Sequence, residues 1–104
     1  MKRSTATAAV FVFGAALLPA HGASAAELCG GVGYWASTWT EAYASTECQA
    51  QARIDRYVSS TVKTYLGATS SYSLVSNSSG VNAGNAYRVR KGAGYPYSVW
   101  VWIH

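Results

Sequence analysis

The sequence predicts an all-β protein: a small antiparallel β-sandwich or barrel of about six short strands with one disulfide, preceded by a cleaved signal peptide. Three observations support this prediction. Much of the second half alternates apolar and polar residues at period two, the pattern of half-buried strands. Clusters of Gly, Asn and Ser separate these runs at short intervals. The chain has two cysteines, which pair as a disulfide in exported proteins.

Residues 1–26 have the pattern of a signal peptide. A positively charged start is followed by an apolar run over residues 8–18 and then by the small-residue sequence Ala23-Ser24-Ala25. The apolar run is well short of the roughly 20 residues needed to span a bilayer. We expect cleavage after Ala25 or Ala26, and a single secreted, extracellular domain over residues 27–104 with no membrane span.

The mature chain is small enough to need a covalent staple. Removing 26 of the 104 residues leaves 78, and a core of this size supplies only about 3–5 kcal/mol. A bond between Cys29 and Cys48 closes a loop of roughly 20 residues and adds about 3 kcal/mol. We predict this disulfide, with an intermolecular bridge as the alternative. Two cysteines and His104 do not make a tetrahedral site, so we expect no metal and no cofactor.

The net charge of the mature chain is modest. Lys2 and Arg3 leave with the signal peptide, which lowers the formal net charge from +4 to +2. Weak charge and export both argue against nucleic acid as a partner. A mildly cationic surface favours acidic partners or anionic cell walls.

The first β-rich run covers residues 32–43. It contains Tyr34, Trp35, Trp39 and Tyr43, residue types that favour strands. We expect these side chains to supply the aromatic part of the core.

Residues 48–57 admit two interpretations. Ala50, Ala52 and Ile54 alternate with polar residues, as in a half-buried strand. A threonine and a glutamine near the start have the spacing of a helix capping box, and Gln, Ala and Arg are good helix formers. We favour the strand because two serines and a second β-rich run over residues 61–66 follow, as in a hairpin.

Three further strand patterns complete the chain, over residues 72–76, 85–90 and 95–104. Residues 77–84, rich in Asn, Ser and Gly, predict a loop between the first two.

In the final run both faces are apolar. Val99, Val101 and Ile103 share one face, whereas Trp100 and Trp102 share the other. We therefore expect a strand that is central or covered on both sides.

No catalytic constellation stands out. His104 is the only histidine of the mature chain, and a terminal residue is usually frayed. Glycoside hydrolysis needs two opposed carboxyl groups, and we expect Asp55, between Arg53 and Arg56, to be a surface charge. No glycine-rich loop has the strand-to-helix setting of a phosphate site. We predict no catalytic residue and no enzyme.

Aromatic side chains are the one clear excess, since all four tryptophans and all eight tyrosines lie beyond the cleavage site. They can fill a small core, or they can form a binding surface, because Trp, Tyr and Arg dominate binding hot spots. If the C-terminal tryptophans are core, the loop over residues 77–84 is the alternative site. The candidate binding residues are Trp100, Trp102, Tyr95, Tyr97, Arg88 and Arg90.

In size, export and strand-rich layout the chain resembles the small β proteins that bacteria secrete, α-amylase inhibitors among them. Those inhibitors carry two disulfides and a Trp-Arg-Tyr triplet. This chain has one cysteine pair, and its first tryptophans lie in Tyr34-Trp35 and Thr38-Trp39, so the resemblance covers the general plan only.

We expect a small secreted non-enzymatic binding module, inhibitor-like or glycan- or protein-binding, with an extracellular partner. The alternative is a bacteriocin-like or toxin-like antagonistic protein, which the small size, the positive charge and the Trp-rich end favour.

Overall fold

The computed structural model describes residues 29–104, so the predicted signal peptide and its cleavage site lie outside the described residues. Within this range no helix has the length and apolar character needed to cross a membrane. The strands pair antiparallel throughout, which confirms the predicted all-β class. The described residues form seven strands: β1 Val32–Ala36, β2 Trp39–Tyr43, β3 Gln49–Val58, β4 Thr61–Leu66, β5 Tyr72–Ser76, β6 Val81–Arg90 and β7 Val101–Trp102.

The strands form two sheets, with the orders β1-β2-β5 and β4-β3-β6-β7. One buried cluster takes residues from both sheets, so the architecture is a sandwich. The sheets also touch through polar atoms. The backbone N of Ala52 on β3 donates to Ser73 Oγ on β5 at 2.9 Å, so the two sheets are in direct polar contact at this edge of β3.

The stretch with two interpretations is a strand. β3 pairs with β4 on one side and with β6 on the other, and Ala50, Ala52 and Ile54 are fully buried. Ser59 and Ser60 have φ of 53° and 70°. Two successive positive φ values are the signature of the two-residue turn that matches the twist of a hairpin. The strand prediction is confirmed and the helix alternative is wrong.

Two boundaries differ from the prediction. The first β-rich run is divided at Ser37 and Thr38 into β1 and β2, which explains seven strands in place of about six. The predicted loop over residues 77–84 is shorter, because β6 already begins at Val81. The register of β3 against β6 shifts at Ala83, which gives β6 one extra residue there, as in a β-bulge.

The last ten residues depart most from the prediction. Only Val101–Trp102 form a strand, and it lies at a sheet edge, so the expectation of one covered strand over residues 95–104 is wrong. Ser98 explains the break, because its N donates to Val89 O at 2.8 Å while its Oγ accepts from Val89 N at 3.1 Å. A side-chain oxygen thus replaces a backbone carbonyl in the hydrogen bonding between the two strands. Val99, which such a strand would cover, is 82% exposed.

The end of the chain is nevertheless held in place. The ring of His104 stacks on Trp35 with 3.9 Å between ring centroids, and its backbone exchanges hydrogen bonds with Asn85. Val101 and Ile103 pack partly buried against the core. The expectation that His104 is frayed is therefore wrong.

The interior is built mainly from small side chains and contains no tryptophan among the described residues. Tyr34, Trp35 and Trp39 are only half-buried, and Tyr43 is 40% exposed, so the expectation of an aromatic core is wrong. The buried cluster consists of Cys29, Ala42, Ala50, Ala52, Ile54, Val75, Tyr87 and Val89.

Tyr87 is the one large aromatic residue in this cluster, and two glycines make room for it. A Cβ added at Gly31 or Gly33 would lie 2.8 Å or 2.6 Å from the Tyr87 ring. The phenol donates a hydrogen bond to the carbonyl oxygen of Gly31 at 3.0 Å. Burial raises the pKa of Tyr87 to about 12.

Two buried polar residues tie the layers and loops together. Asn85 Nδ2 donates to Thr40 Oγ1 at 2.7 Å and to the carbonyl oxygen of Trp39 at 3.1 Å, which joins β6 to the β1–β2 hairpin of the other sheet. Arg56, only 3% exposed, donates to the carbonyl oxygens of Ser37 and Ser79. It therefore links two turns at the same end of the sandwich.

The predicted Cys29–Cys48 disulfide is present. It joins the segment before β1 to the residue before β3, and Cys29 is fully buried. The disulfide thus connects the two sheets.

Reduction of this disulfide should cost about 3 kcal/mol of unfolding free energy, the chain-entropy value for a loop of this length. Urea unfolding with and without reductant measures the loss. The double variant Cys29→Ala/Cys48→Ala is the control and should not respond to reductant. Equal stability of the oxidised and reduced wild type would contradict the prediction.

Stability should also fall above pH 10, because the neutral phenol of Tyr87 is favoured by the fold. With a pKa of about 12 folded and about 10 unfolded, the fold holds its proton more tightly. The contribution is complete below pH 10 and is lost as the pH rises, by about 1.4 kcal/mol at pH 11. Urea unfolding at pH 8 and pH 11 should show this loss. Tyr87→Phe should reduce it and Tyr57→Phe, which removes a more exposed phenol, should keep it; the opposite pattern would refute the assignment.

Candidate binding surface

The outer face of the four-stranded sheet carries polar and aromatic side chains in register. Arg53 on β3 pairs with Ala86 on β6, and Ala86 pairs with Trp102 on β7. In the next two rows Gln51 faces Arg88, and Gln49 faces Arg90. Side chains at paired positions share a face of the sheet, so these residues form adjacent rows on the side away from the core.

Guanidinium groups and aromatic rings alternate across these rows. The guanidinium carbon of Arg53 lies 4.8 Å from the ring centroid of Trp102 and 5.0 Å from that of Trp100. Such distances are typical of cation–π contacts. We call the complete set the Arg–aromatic ladder; its members, in spatial order, are Trp102, Arg53, Trp100, Arg88, Tyr97 and Arg90.

Arg88 occupies the centre of the ladder. Its guanidinium carbon lies 3.8 Å from the Tyr97 centroid and 4.3 Å from the Trp100 centroid, so an aromatic ring contacts it on either side. Arg90 lies 4.6 Å from the Tyr97 centroid. The short turn before Tyr95 and the Ser98 contact to β6 bring the irregular segment across this face.

Hydrogen bonds orient the arginines. Arg88 Nε and Nη2 donate to Gln51 Oε1 at 3.0 Å and 2.7 Å, and Arg90 Nε donates to Gln49 Oε1 at 2.8 Å. The glutamines of β3 therefore position the cations of β6, and the cations position the rings.

Arg53 is oriented by a carboxylate instead. Its Nε and Nη2 donate to the two carboxylate oxygens of Asp55 at 2.9 Å and 3.0 Å, and Thr64 donates to the same carboxylate at 2.9 Å. Asp55 is buried. The expectation of a surface charge at Asp55 is wrong, because Arg53 and Thr64 satisfy the carboxylate and allow its burial.

The ladder face carries excess positive charge. Within residues 29–104 the structure records one ion pair, Arg53 with Asp55, so Arg88 and Arg90 have no carboxylate partner among the described residues. Lys91 adds a third cation, 5.8 Å from the Tyr95 ring centroid.

The Arg–aromatic ladder is partly exposed to solvent, and it also covers the side chain of Ala86. Trp102 is 51% exposed, whereas Ala86 is fully buried although it lies outside the core cluster. Its two register partners, Arg53 and Trp102, close over it. Trp100 and Tyr97 are half-buried, so part of each ring faces solvent.

An open cleft of about 360 Å³ lies at the Arg90 end of the ladder. Its lining residues carry one ammonium group, one carboxylate and three hydroxyls. The lining residues are Ser45, Thr46, Glu47, Cys48, Lys91 and Tyr95.

The structure brings five of the six candidate residues into the ladder, and it places the sixth, Tyr95, beside it with Lys91. Sequence reasoning missed Arg53 and the two orienting glutamines. Their signal was present in the polar half of the β3 alternation. The sequence does not show the register of β3 against β6, which places these polar residues beside Arg88 and Arg90. The alternative loop site is reduced to residues 77–80, since β6 takes the remainder.

A second aromatic surface, not singled out from the sequence, lies on the outer face of the other sheet. Tyr34 and Tyr43 make an edge contact with centroids 6.1 Å apart, and Tyr43 lies 4.9 Å from Tyr72. The Tyr72 hydroxyl donates to the carboxylate of Glu41 at 3.0 Å. Both faces of the sandwich thus display the large residues that its interior lacks.

In residues 29–104 no group of three or more His, Cys, Asp or Glu side chains could hold a metal ion. In comparisons with known proteins, no family model, no curated protein and no solved structure matched this chain.

Proposed function

We propose that the mature chain is a secreted, non-enzymatic binding module that uses the Arg–aromatic ladder to bind an extracellular glycan or protein. The observation that carries this proposal is the position of Trp102 and Trp100. Neither belongs to the buried cluster. On the outer face Trp100 lies between Arg53 and Arg88, and Trp102 lies against Arg53.

The arrangement suits binding because it is ordered in advance. Each arginine is fixed by a hydrogen bond to Gln49, Gln51 or Asp55, and each ring is fixed by an arginine. Side chains that are already ordered lose little conformational entropy when a ligand arrives. Trp, Tyr and Arg are also the residue types that contribute most at binding hot spots.

Two features support secretion. The Cys29–Cys48 bond is of the kind that persists in oxidising compartments. The sequence before it has the charge pattern and small-residue site of an export signal.

An antagonistic, toxin-like role is the second candidate. The excess positive charge of the ladder face beside the exposed Trp102 favours it, because cationic and aromatic residues together suit an anionic bacterial surface. Growth inhibition of neighbouring bacteria by the purified mature protein would favour this role over simple binding.

The binding proposal predicts that Trp102→Ala separates stability from binding. The variant should lose about 1–2 kcal/mol, for one cation–π contact and the apolar cover over Ala86, and Ile54→Ala in the core should lose more, about 2–5 kcal/mol. Immobilised wild-type protein should retain a glycan or protein component from culture medium, and Trp102→Ala should not. Tyr72→Ala, at a 40% exposed position on the opposite face, is the matched control and should retain it.

Two results would overturn the proposal. In one, Trp102→Ala unfolds as readily as Ile54→Ala, which would make the ladder a structural element. In the other, no retained component depends on Trp102.

A further inference from the structure

We infer that the ligand of the Arg–aromatic ladder is a linear polysaccharide that carries regularly repeated anionic groups. This inference rests on the proposed function and names the ligand class of the same face. Charge, hydrogen-bond capacity, spacing and shape each contribute to it.

Residues 29–104 contain three side-chain carboxylates. Asp55 already pairs with Arg53, Glu41 lies on the other sheet beside Tyr72, and Glu47 lines the cleft. None of them neutralises Arg88 or Arg90, which take neutral amide oxygens instead. An anionic ligand would supply the missing charge, and hydrogen bonds between ionised partners are about twice as strong as neutral ones.

Arg88 also retains unused donors. Aromatic rings contact it on either side, and its Nε and Nη2 bond to Gln51. A guanidinium group has five N–H donors, and within residues 29–104 the Arg88 Nη1 donors have no recorded acceptor. The neighbouring rings shield the cation from water, which strengthens its attraction for an anion.

The spacing of the cations is regular. Arg88 and Arg90 lie two residues apart on β6, and Arg53 lies on the neighbouring strand β3 at the level of Ala86, so the three arginines occupy successive levels of the outer face. A step of two residues corresponds to about 6.8 Å in an antiparallel sheet. Evenly spaced cations match a polymer with evenly spaced anions better than an irregular acidic patch.

The shape of the face favours a glycan over an acidic protein. Hot-spot side chains of protein interfaces are typically buried in pockets of the partner. Here Trp100 and Tyr97 are half-buried and pinned between arginines, so neither ring is free to insert. Rings and guanidinium groups alternate in one row, along which a thin, extended chain can lie, and the open cleft beside Lys91 is found at the Arg90 end.

Calorimetry with alginate, an anionic uronate polymer, tests the inference. Neutral dextran and poly-L-glutamate are the comparison ligands. The wild type should bind alginate, more weakly as salt rises, and should not bind dextran. Arg88→Gln and Arg90→Gln should each weaken alginate binding by roughly tenfold or more, the loss expected for one charge-assisted hydrogen bond.

Lys63→Gln is the matched control, because Lys63 is exposed on β4 outside the ladder and its removal changes the net charge equally. It should leave the affinity within about twofold of wild type, since an exposed charge that does not touch the ligand acts only through salt-screened electrostatics. Melting curves accompany each variant. Arg90, which contacts one ring of the ladder, keeps the test valid if Arg88→Gln does not fold.

The contradicting outcomes are distinct. Trp102-dependent binding of dextran would refute the anionic class and leave the binding module intact. Poly-L-glutamate bound as tightly as alginate would show that an acidic protein is the ligand class. Equal losses of alginate affinity in Lys63→Gln and Arg88→Gln would show that binding depends only on the net charge of the protein. If none of the three polymers binds, the inference is wrong. The proposed function is then still decided by the separate retention experiment, in which wild type should hold a component of culture medium and Trp102→Ala should not.

Discussion

The narrow interior between the two sheets decides where the large side chains of this protein can lie. Alanines dominate the facing positions of β2 and β3, and direct hydrogen bonds cross from one sheet to the other at Ser73 and Asn85. A layer this thin has room for Tyr87 only where two glycines face it. The four tryptophans all lie outside the buried cluster, where they need partners to remain ordered.

The buried cluster consists mainly of small side chains, and other interactions add to its stability. The disulfide joins the sheets covalently, while Asn85 and Arg56 tie hairpins and turns through buried hydrogen bonds. On the outside, the ladder closes over Ala86 and extends the buried region beyond the core. The same residues thus stabilise the sheet and form the surface that we propose binds a ligand, which is why stability and binding must be measured together.

The sequence was sufficient for the fold class, the disulfide and most strands, because period-two alternation and turn chemistry are local signals. It failed where a non-local contact overrides the pattern. The alternation after residue 95 predicts a long strand. The Ser98 hydroxyl, however, accepts the hydrogen bond that a backbone carbonyl of the paired strand would accept, and this interrupts the strand. Asp55 has the sequence context of a surface charge, but the position of Thr64 across the hairpin allows it to be buried.

Part of the candidate site could be predicted, because some of its residues follow local patterns in the sequence. Arg88 and Arg90 alternate with core residues on one strand, and Trp100 and Trp102 alternate on another, so each pair could be found from its own segment. Arg53 could not be found in this way, because only the pairing of β3 with β6 sets it opposite Ala86 and beneath the tryptophans. The regular order of cations and rings is a property of register.

The central claim is that the tryptophans of the ladder, and not those of the other sheet, meet the ligand. The chain contains four tryptophans, so a ¹H–¹⁵N spectrum of the mature protein has one indole signal for each. On titration with alginate oligosaccharides, the signals of Trp100 and Trp102 should shift while those of Trp35 and Trp39 stay in place. Shifts confined to Trp35 and Trp39, or equal shifts of all four, would contradict the account.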